Sequence, residues 1–258
     1  MNGNKSDKIE NIIKDRYKED FWQAYHLEEM IRTDFKSKAG QDHILTQQSM
    51  YSYYKKYLSN KKDILEIGAG TGIHLIMFDK MGFNVTGIEP DTRSTEFINQ
   101  KLKHGKCING FIEDTQINEK FDVIFLYHTL EHITKPDLLL EKCNGLLRND
   151  GIVIIAVPDC ENPDTLTKSI NNTYHLWHFT QTQLKNLAIK LRYVILTCDS
   201  FARIPTNTRR IHKILRMIHM SSLSKKIYPY YPFRHTRKND GYEIRLIISK
   251  KQSSGDVK

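Results

Sequence analysis

Apolar runs of strand length punctuate the middle of the chain: DILEI over Asp63–Ile67, NVTGI over Asn84–Ile88, FDVIFL over Phe121–Leu126 and IVIIAV over Ile152–Val157. Weaker strand patterns cover Lys106–Asn109, Tyr193–Thr197 and Tyr242–Ser249. Between them lie stretches with helical spacing: Gly72–Lys80, Thr92–Leu102, a segment from Pro136 to about Leu147, and Gln181–Lys190, which Thr180 is placed to cap. Strand alternating with helix at this spacing predicts an α/β domain with a mostly parallel sheet. The central runs are continuously apolar, as required when helices cover both faces of a sheet. Ahead of them, Lys8–Lys38 has a helical face of Phe21, Trp22, Tyr25, Leu27, Met30 and Ile31, and Thr46–Leu58 reads as a second helix. The pattern divides the chain into an N-terminal helical cap (1–60), a core (61–200), an insertion (201–240), a last core strand (241–250) and a frayed tail (251–258).

With 258 residues the chain can bury roughly 70% of its unfolded surface. Its 26 aromatic residues exclude wholesale disorder. No apolar stretch is long enough to span a bilayer, and Met1–Glu10 is polar with no apolar region behind it, so no secretory leader is expected. Cys107, Cys143, Cys160 and Cys198 are widely spaced and form no CxxC pair, which predicts buried thiols in a reducing, cytoplasmic compartment.

Charge changes the picture at one place. The formal net charge is +9, yet Ser200–Asn239 holds ten Lys or Arg and no Asp or Glu. The remainder, 29 basic against 30 acidic residues, is close to neutral. The first half of this block fits a basic amphipathic helix, with Ile211, Leu215 and Ile218 on one stripe and Ile214 beside it. Such a helix can pack on its own domain, meet an anionic ligand through Arg209, Arg210, Lys213 and Arg216, form a dimer contact, or lie on a membrane surface. Nucleic acid comes behind these, because the charge is one local block with no separate RNA-binding module.

The strongest local motif is Glu66-Ile-Gly68-Ala69-Gly70-Thr-Gly72, directly after a strand and opening a helix. Glycines there permit a tight turn and close backbone approach to a ligand. Glu89 ends the next strand 21 residues after Gly68, where a carboxylate can accept from both hydroxyls of a ribose. GAGTG lacks the GxGxxG spacing that prepares a helix N-terminus for a pyrophosphate, which disfavours a nicotinamide enzyme. An acidic Glu66 beside the loop favours a cationic ligand.

ILEIGAGTG, GIEPD, FDVIFLYHTLEHI and IVIIAVP, in that order, resemble the class I S-adenosylmethionine-dependent methyltransferases. The likeness runs from about Lys61 to Ser200. It is nearest the branch that holds ubiquinone-biosynthesis O-methyltransferases and sugar or polysaccharide-cluster methyltransferases. The resemblance implies a Rossmann-like seven-stranded sheet flanked by helices, an N-terminal lid and S-adenosylmethionine as cofactor, with S-adenosylhomocysteine as product. It also implies roles. Glu66 would help hold the methionine ammonium; Gly68, Ala69, Gly70 and Gly72 would line the methionine; Glu89 would hold the ribose. Pro90 and Asp91 would border the adenosine, Ile112 and Glu113 would flank adenine, and Tyr127 would close the pocket. Many relatives carry Asp at the position of Phe111, so the adenine amino group here falls to Glu113, Asp114 or a backbone carbonyl.

The fourth strand ends His128-Thr-Leu-Glu131-His132. Ubiquinone-pathway relatives carry ExxEH here, proposed to hold a divalent metal. Imidazole in place of a carboxylate at His128 weakens the case for magnesium. No metal is expected, and His128, Glu131 and His132 are the set that would hold one. The other role is general base, for which His128, His132 and His178 are the candidates, with His175 beside them. The expected acceptor is a hydroxyl of a small molecule, sugar or glycan, with or without a phosphate; the alternatives are a quinone or phenol hydroxyl, RNA or protein. The quaternary state is expected to be monomer or homodimer.

Overall fold

The computed structural model describes residues 38–227 and 229–250. Helix α1 (Lys38–Tyr54) leads through a short 3-10 turn, Lys55–Tyr57, into the core. Then come β1 (Asp63–Ile67), α2 (Ile73–Lys80), β2 (Asn84–Glu89), α3 (Thr92–Lys101), β3 (Lys106–Asn109), β4 (Phe121–Tyr127), α4 (Pro136–Leu146), β5 (Leu147–Pro158), α5 (Pro163–Asn171), α6 (Gln181–Lys190), β6 (Val194–Arg203), α7 (Thr206–Met217), α8 (Ser221–Ile227), β7 (Phe233–Thr236) and β8 (Glu243–Ser249). The aromatic face expected around Phe21, Trp22 and Tyr25, and the tail from Lys251, lie outside the described residues.

The strands form one sheet in the order β3-β2-β1-β4-β5-β8-β6-β7. The five strands from β3 to β5 are parallel. β8 runs antiparallel to β5, and β6 antiparallel to β8, so β6 points the same way as β5. Seven strands were expected and eight are present among the described residues. The extra one, β7, lies within the basic stretch and pairs with the edge strand β6 through Phe233 and Thr236, which are buried. Its four residues carry no apolar run, so nothing in the pattern announced it.

Alternation along each strand sends side chains to two cores. Ile124 and Leu126 pack with Leu139, Leu140, Leu184 and Ala188 from α4 and α6. Val123 and Phe125 pack with Met50 and Tyr54 of α1, Leu75 and Phe78 of α2, and Ile98 of α3. α1 is held by its i, i+3, i+4 set, Met50, Tyr53 and Tyr54, against Phe125 and Phe201. α6 starts with the expected Thr180 cap, completed by Gln183 into a reciprocal capping box. α5 is capped by Asn162 and opened by Pro163. All four cysteines are free thiols, and no helix among the described residues is long and apolar enough to cross a membrane.

One buried carboxylate fixes the entry to β3. Asp79, on α2, accepts from the backbone N–H groups of Lys103, His104 and Gly105 at 2.8, 3.0 and 3.1 Å. Burial alone would raise its pKa, but these three donors pull it below the ordinary carboxylate range. A depressed folded-state pKa gives stability that is present above the unfolded value and lost as pH falls through the folded one. Asp79→Ala leaves three donors unpaired and is expected to cost about 2–4 kcal/mol. The difference between wild type and variant in urea melts should shrink as pH is lowered below about 4.

Candidate active site

The carboxyl ends of β1, β2, β4 and β5 meet at one edge of the sheet, where open α/β folds bind ligands. The glycine loop after β1 is clamped to β2: Gly68 and Ala69 donate to the Ile88 carbonyl at 2.9 and 3.2 Å. Gly68 has φ +71°, and a Cβ there would lie 2.6 Å from the Thr129 hydroxyl, which in turn donates to the Ile67 carbonyl. At Gly72, also φ +71°, a Cβ would meet Ile98 Cγ1 at 2.4 Å. These two positions admit only glycine, and the open backbone of the loop faces the sheet edge as a result.

Glu89 sits under the loop. Its Oε2 accepts from Gly70 N–H at 2.7 Å and its Oε1 from Asp91 N–H at 2.9 Å. Burial lifts its pKa to about 8, against those two backbone donors. Glu66 is fully buried, 3.5 Å from His74 Nδ1, with its pKa raised by burial. Its Oε2 has no hydrogen-bond partner among the described residues. An unpaired buried oxygen, a glycine cradle and a carboxylate at the end of β2 suit a ligand with an ammonium at one end and a diol in the middle. S-adenosylmethionine is such a ligand, and the chain's residues fit it.

Of the other expected cofactor residues, Pro90 is half-buried beside the loop, and Asp91 is spent capping α3 through Ser94 N–H at 2.6 Å. Ile112 is part of the core, its carbonyl held by Lys142. Glu113 is exposed. Tyr127 stacks near-parallel on Phe125, lies edge-on to His74 with centroids 4.5 Å apart, and reaches Glu243 with its hydroxyl at 3.4 Å.

The four candidate histidines fall close together, and their environments differ. His128 has φ +50°, and both ring nitrogens face carboxylates: Nδ1 lies 3.2 Å from Glu131 Oε1 and Nε2 3.1 Å from Glu243 Oε2. Burial works against its charge, yet the two carboxylates hold its pKa well above the ordinary histidine value. A protonated ring with both N–H groups engaged has no lone pair for a substrate proton. Glu243 is bound in turn by Arg245 Nε at 2.6 Å, and both are completely buried. Burial raises the Glu243 pKa, but Arg245 and His128 outweigh it and bring it to about 2. Arg245 continues to Ser49 on α1 through its guanidinium nitrogens at 3.3 Å. Glu243 and Arg245 escaped the sequence reading. Their signal was present: two charges two residues apart in EIRLII, on one face of an otherwise apolar strand.

His132 stands differently. Its Nδ1 donates to the Tyr174 carbonyl at 2.9 Å, which makes Nε2 the basic nitrogen of the ring. Burial lowers its pKa, against the pull of Glu131, so the ring is neutral at pH 7. His175 lies edge-on to it with centroids 4.8 Å apart, its pKa pushed down to about 4 by burial and by His132. Ser169 Oγ bridges His175 Nδ1 at 2.8 Å and His178 Nδ1 at 2.9 Å. His178 is thus tied to the loop that carries His175.

The metal-capable set differs from the expected one. Glu131, His132 and His175 each offer an atom within 4.8 Å of the others, and Glu131 Oε2 is buried with no hydrogen-bond partner among the described residues. His128 is replaced by His175 because its ring is held between Glu131 and Glu243. One carboxylate and two imidazoles suit zinc or manganese, which would supply Lewis acidity there.

Arg245→Met would leave Glu243 buried without its strongest partner and is expected to cost about 3–5 kcal/mol, a fall of roughly 6–20 °C in melting temperature for a chain of this size. His128, with a raised folded-state pKa, stabilises the fold fully below about pH 6.5 and loses that contribution only as pH rises through the elevated value. Long-range imidazole ¹⁵N spectra should show both His128 nitrogens protonated at pH 7.5, and a deprotonated ring at that pH would contradict the network.

A model of the methyltransferase domain matches residues 46–193, more than half of the chain. Curated relatives include the ubiquinone biosynthesis O-methyltransferases of Haemophilus ducreyi, 31% identical over 37% of this chain and 44% of that protein, and of Actinobacillus pleuropneumoniae serotype 7, 32% identical over 37% and 45%. The chain therefore aligns with less than half the length of these relatives. Among solved structures, a SAM-dependent methyltransferase from Archaeoglobus fulgidus superposes with TM-score 0.62 at 15% identity, covering 86% of this chain and 99% of the other. The magnesium protoporphyrin IX methyltransferase of Synechocystis PCC 6803, with bound SAH, gives 0.60 at 12% identity, covering 94% and 100%. Those likenesses establish the fold, and the domain match, together with the glycine cradle and its two carboxylates, places the chain in the methyltransferase-domain family, whose cofactor is S-adenosylmethionine.

Proposed function

We propose that the protein transfers the methyl group of S-adenosylmethionine to a hydroxyl oxygen of a small phenolic or quinol-like acceptor. The single observation that carries the reaction is the glycine cradle at the carboxyl edge of the sheet, with Glu89 beneath it and the buried Glu66 Oε2 unpaired among the described residues; His132, whose Nδ1 donates to the Tyr174 carbonyl, is the proposed base. Methyl transfer is an in-line displacement. The carbon–sulfur bond breaks, its electron pair returns to sulfur to leave neutral S-adenosylhomocysteine, and a carbon–oxygen bond forms. The acceptor hydroxyl passes its proton to His132 Nε2. Glu89 would accept from the ribose hydroxyls, Glu66 from the methionine ammonium, and Tyr127 would wall the cradle. His128, charged and doubly bound, positions Glu131 and the turn that carries His132.

The acceptor class rests on the curated relatives, which are O-methyltransferases of ubiquinone biosynthesis. That supports a phenol or quinol hydroxyl over the sugar or glycan hydroxyl expected first from the sequence. The absence of a [DN]-P-P-[YF] segment after β4, where the chain reads LYHTLEH, supports oxygen over nitrogen.

Incubation with methyl-labelled S-adenosylmethionine and a panel of catechols, phenols and nucleotide sugars tests the reading. Label should enter the phenolic acceptors; label in nucleotide sugars alone would overturn it. Glu89→Ala should weaken S-adenosylmethionine binding by roughly 10–100-fold in calorimetry, the worth of charge-assisted hydrogen bonds. His132→Gln should leave that affinity unchanged and lower kcat by about 10²–10⁴-fold. A chelator should leave the wild-type rate intact. Loss of activity on chelation, restored by zinc or manganese, would instead make His132 a ligand alongside Glu131 and His175.

A further inference from the structure

The insertion between β6 and β7 is folded inside out. In a helix that packs on its own domain the apolar stripe faces inward and the polar residues face water. Here Ile211, Ile214, Met217 and Ile218 are 53, 55, 69 and 56% exposed, and the apolar surface continues onto α8 at Leu223 and Ile227. Among the described residues of the two helices the buried positions are polar, and Leu215 is only half-buried. His212 is 7% exposed and Ser224 fully buried; the Ser224 hydroxyl meets His212 Nδ1 at 2.6 Å, and the His212 ring stacks on Tyr231 with centroids 3.8 Å apart. This pair ties α7 to α8 and fixes the orientation that turns the isoleucines outward. Basic side chains border the apolar face: Arg210, Lys213 and Lys226 are exposed. No acidic residue occurs anywhere in Ser200–Asn239. The side chains of Arg209 and Arg216 lie outside the described set.

We infer that α7 and α8 form a membrane-docking face, which seats on a bilayer surface rich in anionic lipid. Charge decides between the occupants. A second copy of the chain would bring this face against its own like charges, since a two-fold contact is self-complementary and there is no acid here to answer the lysines and arginines. An anionic lipid surface supplies the opposite charge over an extended plane, and an acyl boundary takes the isoleucines. Topology puts the face in a useful place. β6 runs parallel to β5, so Arg203, its last residue, emerges at the same edge of the sheet as the glycine loop and His128. The active-site rim and the docking face thus share one end of the molecule.

Vesicle sedimentation with the full chain tests the inference and needs no methyl acceptor, so its outcome is independent of the proposed reaction. The chain should sediment with phosphatidylcholine vesicles that contain phosphatidylglycerol, and binding should weaken as salt is raised. Ile214→Glu and Ile218→Glu should each reduce the partition coefficient by roughly tenfold or more, the worth of one buried isoleucine. Both positions are exposed, so melting temperature and S-adenosylmethionine affinity should not move. Failure to sediment with the phosphatidylglycerol-containing vesicles would overturn the inference, as would equal binding to vesicles of phosphatidylcholine alone. Self-association abolished by the same variants, or salt-sensitive retention of RNA, in a chain that binds no vesicles would also overturn it and assign the face to that partner.

Discussion

Four charges alternate in sign through the centre of this protein: Glu131, Glu243 and Arg245, completely buried, and the half-buried His128 between the two carboxylates. They come from the turn after β4, the end of β4 itself and the antiparallel strand β8, and Arg245 reaches α1 through Ser49. Each charge taken alone would cost several kcal/mol to bury. In sequence they cancel, and every link needs its neighbour. The unusual backbone of His128, at φ +50°, follows from this. A left-handed histidine is a strained position, and the two carboxylates that grip its ring hold it there. Closing the network fixes the distance between β4 and β8 across β5, and it seats α1 over the sheet. The shape of the active-site edge therefore depends on ion pairs as much as on the apolar core.

The same network divides the histidines by charge. His128 is held protonated, whereas His132 and His175, a few ångströms away, are held neutral by burial. Glu131 stands between them: its Oε1 meets the His128 ring, and its carboxylate lies within 4.8 Å of ring nitrogens of His132 and His175. A site that removes a proton near pH 7 needs this separation of environments, because one imidazole must stay uncharged beside a cationic sulfonium donor. If all the rings were equally exposed to the carboxylates, all would carry a proton and none could act as base. The arrangement holds one histidine as a structural cation and keeps its neighbour uncharged, as the proposed base requires.

Most of the frame was legible in the residues. The continuous apolar runs located β1, β2, β4 and β5 because both faces of those strands are covered, and Gly68 with Glu89 located the cofactor edge because close approach leaves few alternatives to glycine and carboxylate. What escaped were contacts between distant parts of the chain. His128, Glu131 and His132 read as one motif by spacing, yet His128 turns to Glu243, 115 residues away, while His175 comes in from the loop after α5. Local spacing cannot carry that information. β7 escaped for a related reason: its pairing partner β6, and not its own composition, makes it a strand. The basic helix was recognisable as amphipathic, but which of its faces turns inward depends on His212, Ser224 and Tyr231 meeting across a turn.

That last point connects energetics to placement. A helix pair joined by a histidine–serine contact, with its His212 ring stacked on Tyr231, leaves exposed the apolar area whose burial stabilises most surface helices. The apolar area remains available, and it is concentrated on one side, bordered by cations, at the end of the sheet where the reaction site opens. An acceptor that partitions into a bilayer is dilute in water and concentrated at its surface. A protein that brings its active-site edge to that surface meets the acceptor where it is abundant, and the desolvation left undone when α7 and α8 folded becomes the driving force for docking. Under the proposed reading, binding free energy is divided between two places, the polar cradle of β1 and β2 for a charged, water-soluble cofactor and the exposed isoleucines of the insertion for the lipid surface.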